Sequence, residues 1–474
     1  MNIDYEKIGF KAGLECHQQL EGKKLFCNCP TTIRKEKPDY TFVRKLRAAA
    51  GETGKVDKAA QYEMEKSKTF EYQGYYDTTC LVESDDEPPS PVNEDAVKTA
   101  LQVAKLLNMK IVDSIQFMRK TVIDGSNVSG FQRTALIGYD GYVEVDGKKF
   151  GVESVCLEEE AAQVIQRTKE KDIYNLSRLG IPLLEIATAP DMKTPEECKS
   201  VAAHIGMLLR STGKMKRGIG SIRQDVNVSI KGGARTEIKG FQDIKSIPRV
   251  IDHEINRQLK LIKKGEKVES GVRKAEPDGT TKYLRPMPGA DRMYPETDIP
   301  TIIPDLSNIK SVETLADKQK RYEKEYGLNK DLASIAIKHE NKNKYSFEED
   351  FKKYKVEPKT IIDTILIKIP DIEKKTKKII QFDKYKEDLF KAVAKKSIAA
   401  SSIPKILEDI AKTGKFNPNN YKQMDDAELE KIVKKIISEN AGAPRGLIMG
   451  KIMGQLKGKA DGKKVNQIVG KLLN

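Results

Sequence analysis

A chain of 474 residues exceeds one ordinary core, so two to four domains are expected. Its formal charge of +15, from 85 Lys plus Arg against 70 Asp plus Glu, suits a polyanionic partner such as nucleic acid, or a surface kept soluble by lysine. The six cysteines are spread out rather than framed for disulfides, no N-terminal apolar segment resembles a signal peptide, and no apolar run reaches the ~18 residues of a transmembrane helix, so a cytoplasmic protein is expected.

In chain order, the first informative stretch is Gly13-Leu-Glu-Cys-His-Gln-Gln-Leu20. Read as a β-strand, it turns Glu15, His17 and Gln19 to one face and Leu14, Cys16 and Leu20 to the other. The polar face is either water-exposed or a site. Cys27 and Cys29 then offer two thiols. Structural zinc takes four ligands, usually as two knuckles, and no second closely spaced pair exists, so zinc is not expected; Cys80 is the nearest further candidate. Asn93 to Leu107 and Thr194 to Leu209 carry apolar residues at helical spacing, with Asn93 and Thr194 as N-caps and Pro195 at a first helical position. Residues 140–155, with Asp140-Gly141 and Asp146-Gly147 both in the run, alternate around Asp-Gly, the favoured chemistry of a two-residue hairpin turn. Ile222 to Ile230 alternates up to Gly232-Gly233 and forms a second hairpin with Arg235 to Lys239.

Three carboxylate positions bear on the first strand. Glu185 sits in the apolar run Gly180-Ile-Pro-Leu-Leu-Glu-Ile-Ala, where a buried carboxylate must recruit a cation, shift its pKa or pair with a Lys or Arg. In Val155-Cys-Leu-Glu158-Glu-Glu-Ala-Ala, a strand is expected to run into a helix. Glu158 then either shares a strand face with Ser154 and Cys156 or favours a helix N-terminus. Arg223, Asp225 and Asn227 share one strand face, as a binding pocket or as a solvent-facing edge stripe. Together Glu15, His17, Glu158 and Glu185 make an oxygen-rich set suited to Mg²⁺ or Mn²⁺.

From about 305 the strand signals fade. Lys-rich amphipathic segments such as Glu349 to Tyr354 and Lys384 to Ala394 read as helices, and beyond 401 short helices include Asp425 to Ser438. Ala443 to Lys471 holds seven basic residues and one acidic one, with no aromatic stacker. Either a solvated Lys-rich surface or contact with the backbone of a folded RNA accounts for it; Arg445, Lys451, Lys457, Lys459, Lys463 and Lys464 are the candidates, several beside glycine. The fold class is α+β: a mainly antiparallel-sheet domain over 1–304, a helical domain over 305–400 and an all-α tail over 401–474. No Walker A loop, nucleophile elbow or amidase-like nucleophile is found, so any hydrolysis of an amide donor must occur elsewhere.

The motifs Gly13 to Leu20, Lys24-Leu-Phe-Cys-Asn-Cys-Pro30, Asp77-Thr-Thr-Cys-Leu-Val-Glu83, Asn175 to Asp191, Gly220 to Ser229, Glu237-Ile-Lys-Gly-Phe241 and Arg285 to Pro300 closely resemble the E-type chains of the archaeal glutamyl-tRNA(Gln) amidotransferases. The related B-type chains of the three-subunit bacterial enzymes share some of them in looser form. The resemblance implies ATP-dependent phosphorylation of the γ-carboxyl of glutamate misacylated on tRNA(Gln), then amidation with ammonia from an asparaginase-like D-type partner, in a heterotetramer of two D-type and two E-type chains. It implies Mg²⁺ ligands at Glu15, His17, Glu158 and Glu185, an ATP or aminoacyl pocket at Arg223, Asp225 and Asn227, and a tail that grips tRNA. A B-type chain of a three-subunit enzyme and a catalytically inactive tRNA-binding adaptor are the alternatives. One departure is large: an aspartyl-tRNA-synthetase-like insertion expected just before Val272 is lacking, either naturally or by deletion.

Overall fold

The structure, a computed structural model, describes residues 3–47, 54–56, 58–241, 243–287, 293–295, 297–343, 345–422, 426–456 and 462–473. Met1–Thr314 and Leu315–Asn474 form two compact units.

The first unit is organised on strand β1 (Lys11–Gln19), which lies in the interior of an 11-stranded sheet. Two short strands leave that sheet for a second one: β2 (Tyr40–Arg44) and β3 (Thr69–Gly74), with helix α1 (Lys58–Glu65) between them. The main sheet then receives β4 (Lys110–Ile111), β5 (Phe117–Thr121), β6 (Phe131–Val145) and β7 (Lys148–Glu159). The small sheet takes β8 (Gln163–Arg167) and β9 (Lys171–Asn175). The main sheet ends with β10 (Pro182–Thr188), β11 (Ile222–Ser229), β12 (Thr236–Phe241), β13 (Gly271–Ala275), β14 (Thr281–Arg285) and β15 (Met293–Tyr294). Its order is β14-β13-β12-β11-β1-β10-β7-β6-β5-β15, with β4 beside β6, and its pairs are antiparallel except β12 with β13. The expected α+β class and largely antiparallel sheet hold.

Helices α2 (Glu94–Leu106), α3 (Pro195–Ser211) and α4 (Ile247–Lys263) cover one face of this sheet. Asn93 and Thr194 cap α2 and α3 as expected, each accepting from backbone N–H groups of the first turn, with Pro195 opening α3. The side chains turned to these helices are the apolar half of each alternating strand: Leu14 and Cys16 of β1, Leu184 and Ile186 of β10, Val155 and Leu157 of β7, and Val226 of β11, all within one core. The other half of each strand faces away from the helices, and there the polar residues collect.

The expected Asp-Gly hairpin joins β6 and β7, its turn at Asp146-Gly147 with both residues at positive φ, while Asp140-Gly141 lies inside β6. Glycine is required at 141 by a close approach: a Cβ there would stand 2.4 Å from Met109 Cγ and 2.5 Å from the Leu107 carbonyl oxygen. One local expectation is corrected: no helix follows Glu158. Strand β7 continues through Glu159 and leads into β8, so a helix dipole does not account for this acidic run.

The second unit is helical: α5 (Leu315–Tyr326), α6 (Lys330–Asn343), α7 (Phe347–Tyr354), α8 (Pro358–Asp363), α9 (Ile369–Thr376), α10 (Asp383–Ala394), α11 (Ile403–Thr413), α12 (Asp426–Glu439), α13 (Arg445–Leu456) and α14 (Gly462–Leu473). Although α11 lies beyond the expected boundary at residue 400, its Ile403, Ile406 and Leu407 share a core with the preceding helices. Helices α12 to α14 close a separate core on Leu429, Val433, Ile436, Ile448, Ile452, Val465 and Val469.

Candidate active site

Antiparallel register brings the polar residues of neighbouring strands side by side on the uncovered face. His17 stands opposite Glu185 across β1 and β10, Glu15 opposite Asp225 and His17 opposite Arg223 across β1 and β11, and Glu158 of β7 opposite Leu183 of β10 and Thr134 of β6. Paired residues in a ladder project to the same side. The result is a cleft of ≈ 390 Å³ into which Glu15, His17, Glu158, Glu185, Arg223 and Lys120 all open.

Donor atoms of Glu15, His17 and Glu185 lie within 4.8 Å of one another, so residues from two strands far apart in sequence converge. His17 Nε2 is 3.2 Å from Glu185 Oε2. Lys120 Nζ donates to Glu158 Oε1 at 2.5 Å and to Glu185 Oε2 at 3.2 Å, tying Glu158, the remaining member of the expected set, to Glu185. Glu158 also accepts from Gln132 Nε2 at 2.9 Å and Thr134 Oγ1 at 2.8 Å. Of the three adjacent glutamates, Glu159 points elsewhere and accepts from the Arg133 backbone N–H, while Glu160 accepts from Gln19 Nε2 and the Arg223 guanidinium at 2.9 Å each.

A second carboxylate group, Glu15, Asp225 and Glu237, shares Glu15 with the first. Lys239 bridges Asp225, at 2.7 Å, and Glu237. Asn227 Nδ2 donates to Glu15 Oε1 at 3.0 Å. Strand β11 lies between β1 and β12, and Asp225 is buried, so the reading of Arg223, Asp225 and Asn227 as a solvent-facing edge stripe is set aside.

The electrostatics divide the carboxylates. Burial opposes charge on Glu185, yet Lys120 beside it and the His17 hydrogen bond hold its carboxyl well below the usual range. Burial, reinforced by the Glu185 charge, pushes Glu158 up despite Lys120. Burial also raises Glu15, against the nearby Lys239 ammonium. For His17, burial disfavours the imidazolium but the hydrogen bond and charge of Glu185 prevail, and its pKa rises. The cleft thus holds several largely buried acidic groups balanced by lysines.

Sequence reading missed Lys120 and Gln132 as cleft groups and Thr134 as a partner of Glu158. Phe117-Met-Arg-Lys-Thr121 alternates too weakly to reveal which of Arg119 and Lys120 turns inward, and only the ladder with β6 settles it. In the tail, Arg445 and Lys451 are exposed on α13; Lys457 and Lys459 lie outside the described residues, and Lys463 and Lys464 lie in α14 with side chains that are likewise not described.

Residues 10–310, which contain this sheet and cleft, match the GatB/GatE catalytic domain, and residues 346–473 match the GatB domain. The chain belongs to the GatB/GatE family. It is 37% identical to the E-type chain of the glutamyl-tRNA(Gln) amidotransferase of Methanocaldococcus jannaschii, covering 93% of each chain. It is 35% identical to the corresponding chain of Methanococcus maripaludis, again over 93% of each, and 39% identical to that of Archaeoglobus fulgidus over 70% of this chain and 75% of the relative. The alignment with the Methanocaldococcus jannaschii protein runs over 589 positions although this chain has 474 residues, so that relative carries a long stretch this chain lacks.

Proposed function

We propose that this chain is the component of a tRNA-dependent amidotransferase that converts glutamate misacylated on tRNA(Gln) to glutamine. The observation that carries the reading is the convergence of Glu15, His17 and Glu185 in a charged cleft of a GatB/GatE catalytic domain. No protein nucleophile is needed. A γ-carboxylate oxygen attacks the γ-phosphorus of ATP, ADP leaves, and ammonia then attacks the acyl-phosphate carbonyl, expelling phosphate and giving up a proton.

The donor set fits Mg²⁺: two carboxylates and an imidazole within 4.8 Å, with Glu158 joined to them through Lys120. Held by Glu15, His17, Glu185 and Glu158, the ion would neutralise phosphate charge during the transfer. The chain's own groups do the rest. Lys120 and Arg223 offer cationic donors toward the phosphates, and the carboxylates, kept apart in protonation by their surroundings, order them. Arg223, Asp225 and Asn227 form the wall proposed to receive ATP or the aminoacyl end. The α13–α14 region, with Arg445, Lys451 and the neighbouring lysines, is proposed to hold the tRNA backbone.

No helix among the described residues is long and apolar enough to cross a membrane. A cytoplasmic enzyme, with an asparaginase-like D-type partner supplying ammonia in a heterotetramer of two D-type and two E-type chains, completes the proposed assembly. The test is amide formation on glutamyl-tRNA(Gln) with ATP and Mg²⁺. Free ammonium should support it in the isolated chain, and an amide donor only with the partner present. Absence of ATP-dependent product under either condition overturns the reading.

A further inference from the structure

The second carboxylate group already holds a cation of its own. On β12, Glu237 and Lys239 are two residues apart and turn to one face, and Glu237 pairs with Asn227 of β11, whose amide reaches Glu15. Arg235 Nε donates to Asn227 Oδ1 at 3.0 Å and so turns the amide N–H groups toward Glu15. Asp225 is gripped at both oxygens: Oδ2 accepts from Lys239 Nζ at 2.7 Å, and Oδ1 accepts from the Gly240 N–H at 3.2 Å. Lys239 pairs with Glu237 as well. Asp225 and Glu237 are 7% and 5% exposed, whereas 31% of the Lys239 side chain is open, and it lines the cleft.

An ammonium has three N–H donors. Asp225 and Glu237 engage Lys239 from two sides, and no third acceptor meets its ammonium among the described residues. Burial opposes the charge of Lys239, but Asp225, Glu237 and Glu15 outweigh it and its pKa rises, so the group remains a cation. Two ligand groups that share a carboxylate, as these share Glu15, would hold two ions side by side, the clamp that many phosphoryl-transfer enzymes use. Here a side chain fills the second place.

We propose that Lys239 is a catalytic residue that stands in for a second divalent ion and binds a phosphate oxygen of the nucleotide in the cleft. This role rests on the amidation reading. The strand order supports it: Lys239 comes from β12 and Lys120 from β5, and the Glu15, His17 and Glu185 group on β1 and β10 lies between those strands. Positive charge is thus supplied on both sides of that group, which suits the linked phosphates of a nucleoside triphosphate. Lysine suits the task because its ammonium is a compact point charge, close in kind to a small ion.

The step balances without moving a proton through Lys239. A γ-carboxylate oxygen forms a bond to the γ-phosphorus, the bond from that phosphorus to the β,γ-bridging oxygen breaks, and its electron pair leaves on ADP. The ammonium keeps its protons and donates hydrogen bonds to oxygens on which charge collects. Without it, Glu15, Asp225 and Glu237 would face one another unneutralised, and a divalent ion would be the natural replacement.

The experiment counts ions as well as turnover, on the full chain and its Lys239→Ala variant. Bound Mn²⁺ that Mg²⁺ displaces, read by electron paramagnetic resonance without nucleotide, should be one per parent chain and two per variant chain. At Mg²⁺ saturating for the parent, kcat for ADP formation dependent on glutamyl-tRNA should fall roughly a hundredfold in the variant, the scale of one lost charge-stabilising group. Excess Mn²⁺ should then raise the variant's rate about tenfold or more, with a second-order dependence on the ion, while tRNA binding stays parental. Lys239→Arg, which keeps the charge, should bind one ion and lose less activity. Parental kcat in Lys239→Ala, an unchanged ion count, or a lost rate that Mn²⁺ does not lift overturns the role. If the alanine variant fails to fold, the parent's count decides, and two ions per parent chain overturn it. A parent with no ATP-dependent product on glutamyl-tRNA overturns the amidation reading itself, whereas an active parent with two ions overturns only the role of Lys239.

Discussion

The floor of the cleft and the last three helices both carry charge, and they dispose of it in opposite ways. In the cleft, Lys120 and Glu158 side chains are 9% and 2% exposed and bound to each other, and Glu185 is bound to Lys120 and His17. In the tail, Arg445 and Lys451 are exposed, and the Lys434–Glu430 pair is 57% and 49% exposed. Buried pairs are sensitive to the loss of either partner and weakly screened; exposed pairs contribute about 0–1 kcal/mol and fade with salt. The proposed site for chemistry and the proposed surface for a polyanion thus differ in how they hold their charge.

The sharpest test of the cleft removes a ligand. Glu185→Ala and Glu15→Ala should each lower ATP-dependent phosphorylation of glutamyl-tRNA by roughly a thousandfold, the scale of losing a preorganised charge-stabilising group. Binding of tRNA should survive, as a filter-binding measurement would show. Normal phosphorylation in either variant breaks the distinction, because the cleft would then be a surface like the tail.

Lys120→Met addresses the same pairing from the cationic side. It leaves Glu158 and Glu185 facing each other without their shared ammonium, at a cost of about 3 kcal/mol. Thermal melts in the presence of a chelator should fall accordingly, and Mg²⁺ should restore more stability to the variant than to the parent. Equal Mg²⁺ stabilisation of both would mean that the ion does not bind between these carboxylates.

How much of this was legible beforehand follows from the geometry. The polar face of β1 could be read from period two, because one strand carries the whole pattern in nine residues. Glu185 was visible as a carboxylate in an apolar run, and of its expected fates the structure shows the salt bridge, to Lys120, with His17 reaching it as well; the cation site is the one proposed above. Lys120 itself was hidden, since its role depends on the β5–β6 register rather than on its neighbours in sequence. The hairpin was legible because Asp-Gly is a local signal, but the run holds two such pairs and the β6–β7 register alone puts the turn at Asp146-Gly147, while Gly141 answers to close packing against Leu107 and Met109.

Glu254 of α4 separates buried charge from chemistry. It is 0% exposed, hydrogen-bonded to Arg257 at 2.6 Å and 2.9 Å, and accepts from Thr281 of β14 at 3.0 Å. Burial opposes its charge, but the Arg257 hydrogen bonds and charge lower its pKa. A depressed carboxylate stabilises the fold fully above its unfolded value of ~4.3, and that contribution is lost as pH falls toward the folded value. Glu254→Gln should therefore cost about 2–3 kcal/mol at pH 7 and progressively less below pH ~4, read by denaturant unfolding, with the phosphorylation rate unchanged. A rate lowered in parallel with stability would extend the functional region to α4.

The smallest effect probes the tail. Gly446, Gly450 and Gly454 fall four apart on α13, and a Cβ at each would meet nothing within 4 Å. Residues at this spacing share one helix face. Glycine in a helix interior costs about 1 kcal/mol relative to alanine, and no contact within the described residues accounts for three of them. A bare helix face allows a sugar-phosphate backbone to come close, beside Lys451. Gly450→Ala should then raise the stability of the α12–α14 core by about 0.5–1 kcal/mol while weakening tRNA binding severalfold, two changes of opposite sign from one methyl group. Calorimetry and tRNA titration at two salt concentrations would measure both. A more stable variant with unchanged tRNA affinity would take this face out of the proposed RNA contact and leave that proposal to the tail's cationic side chains alone.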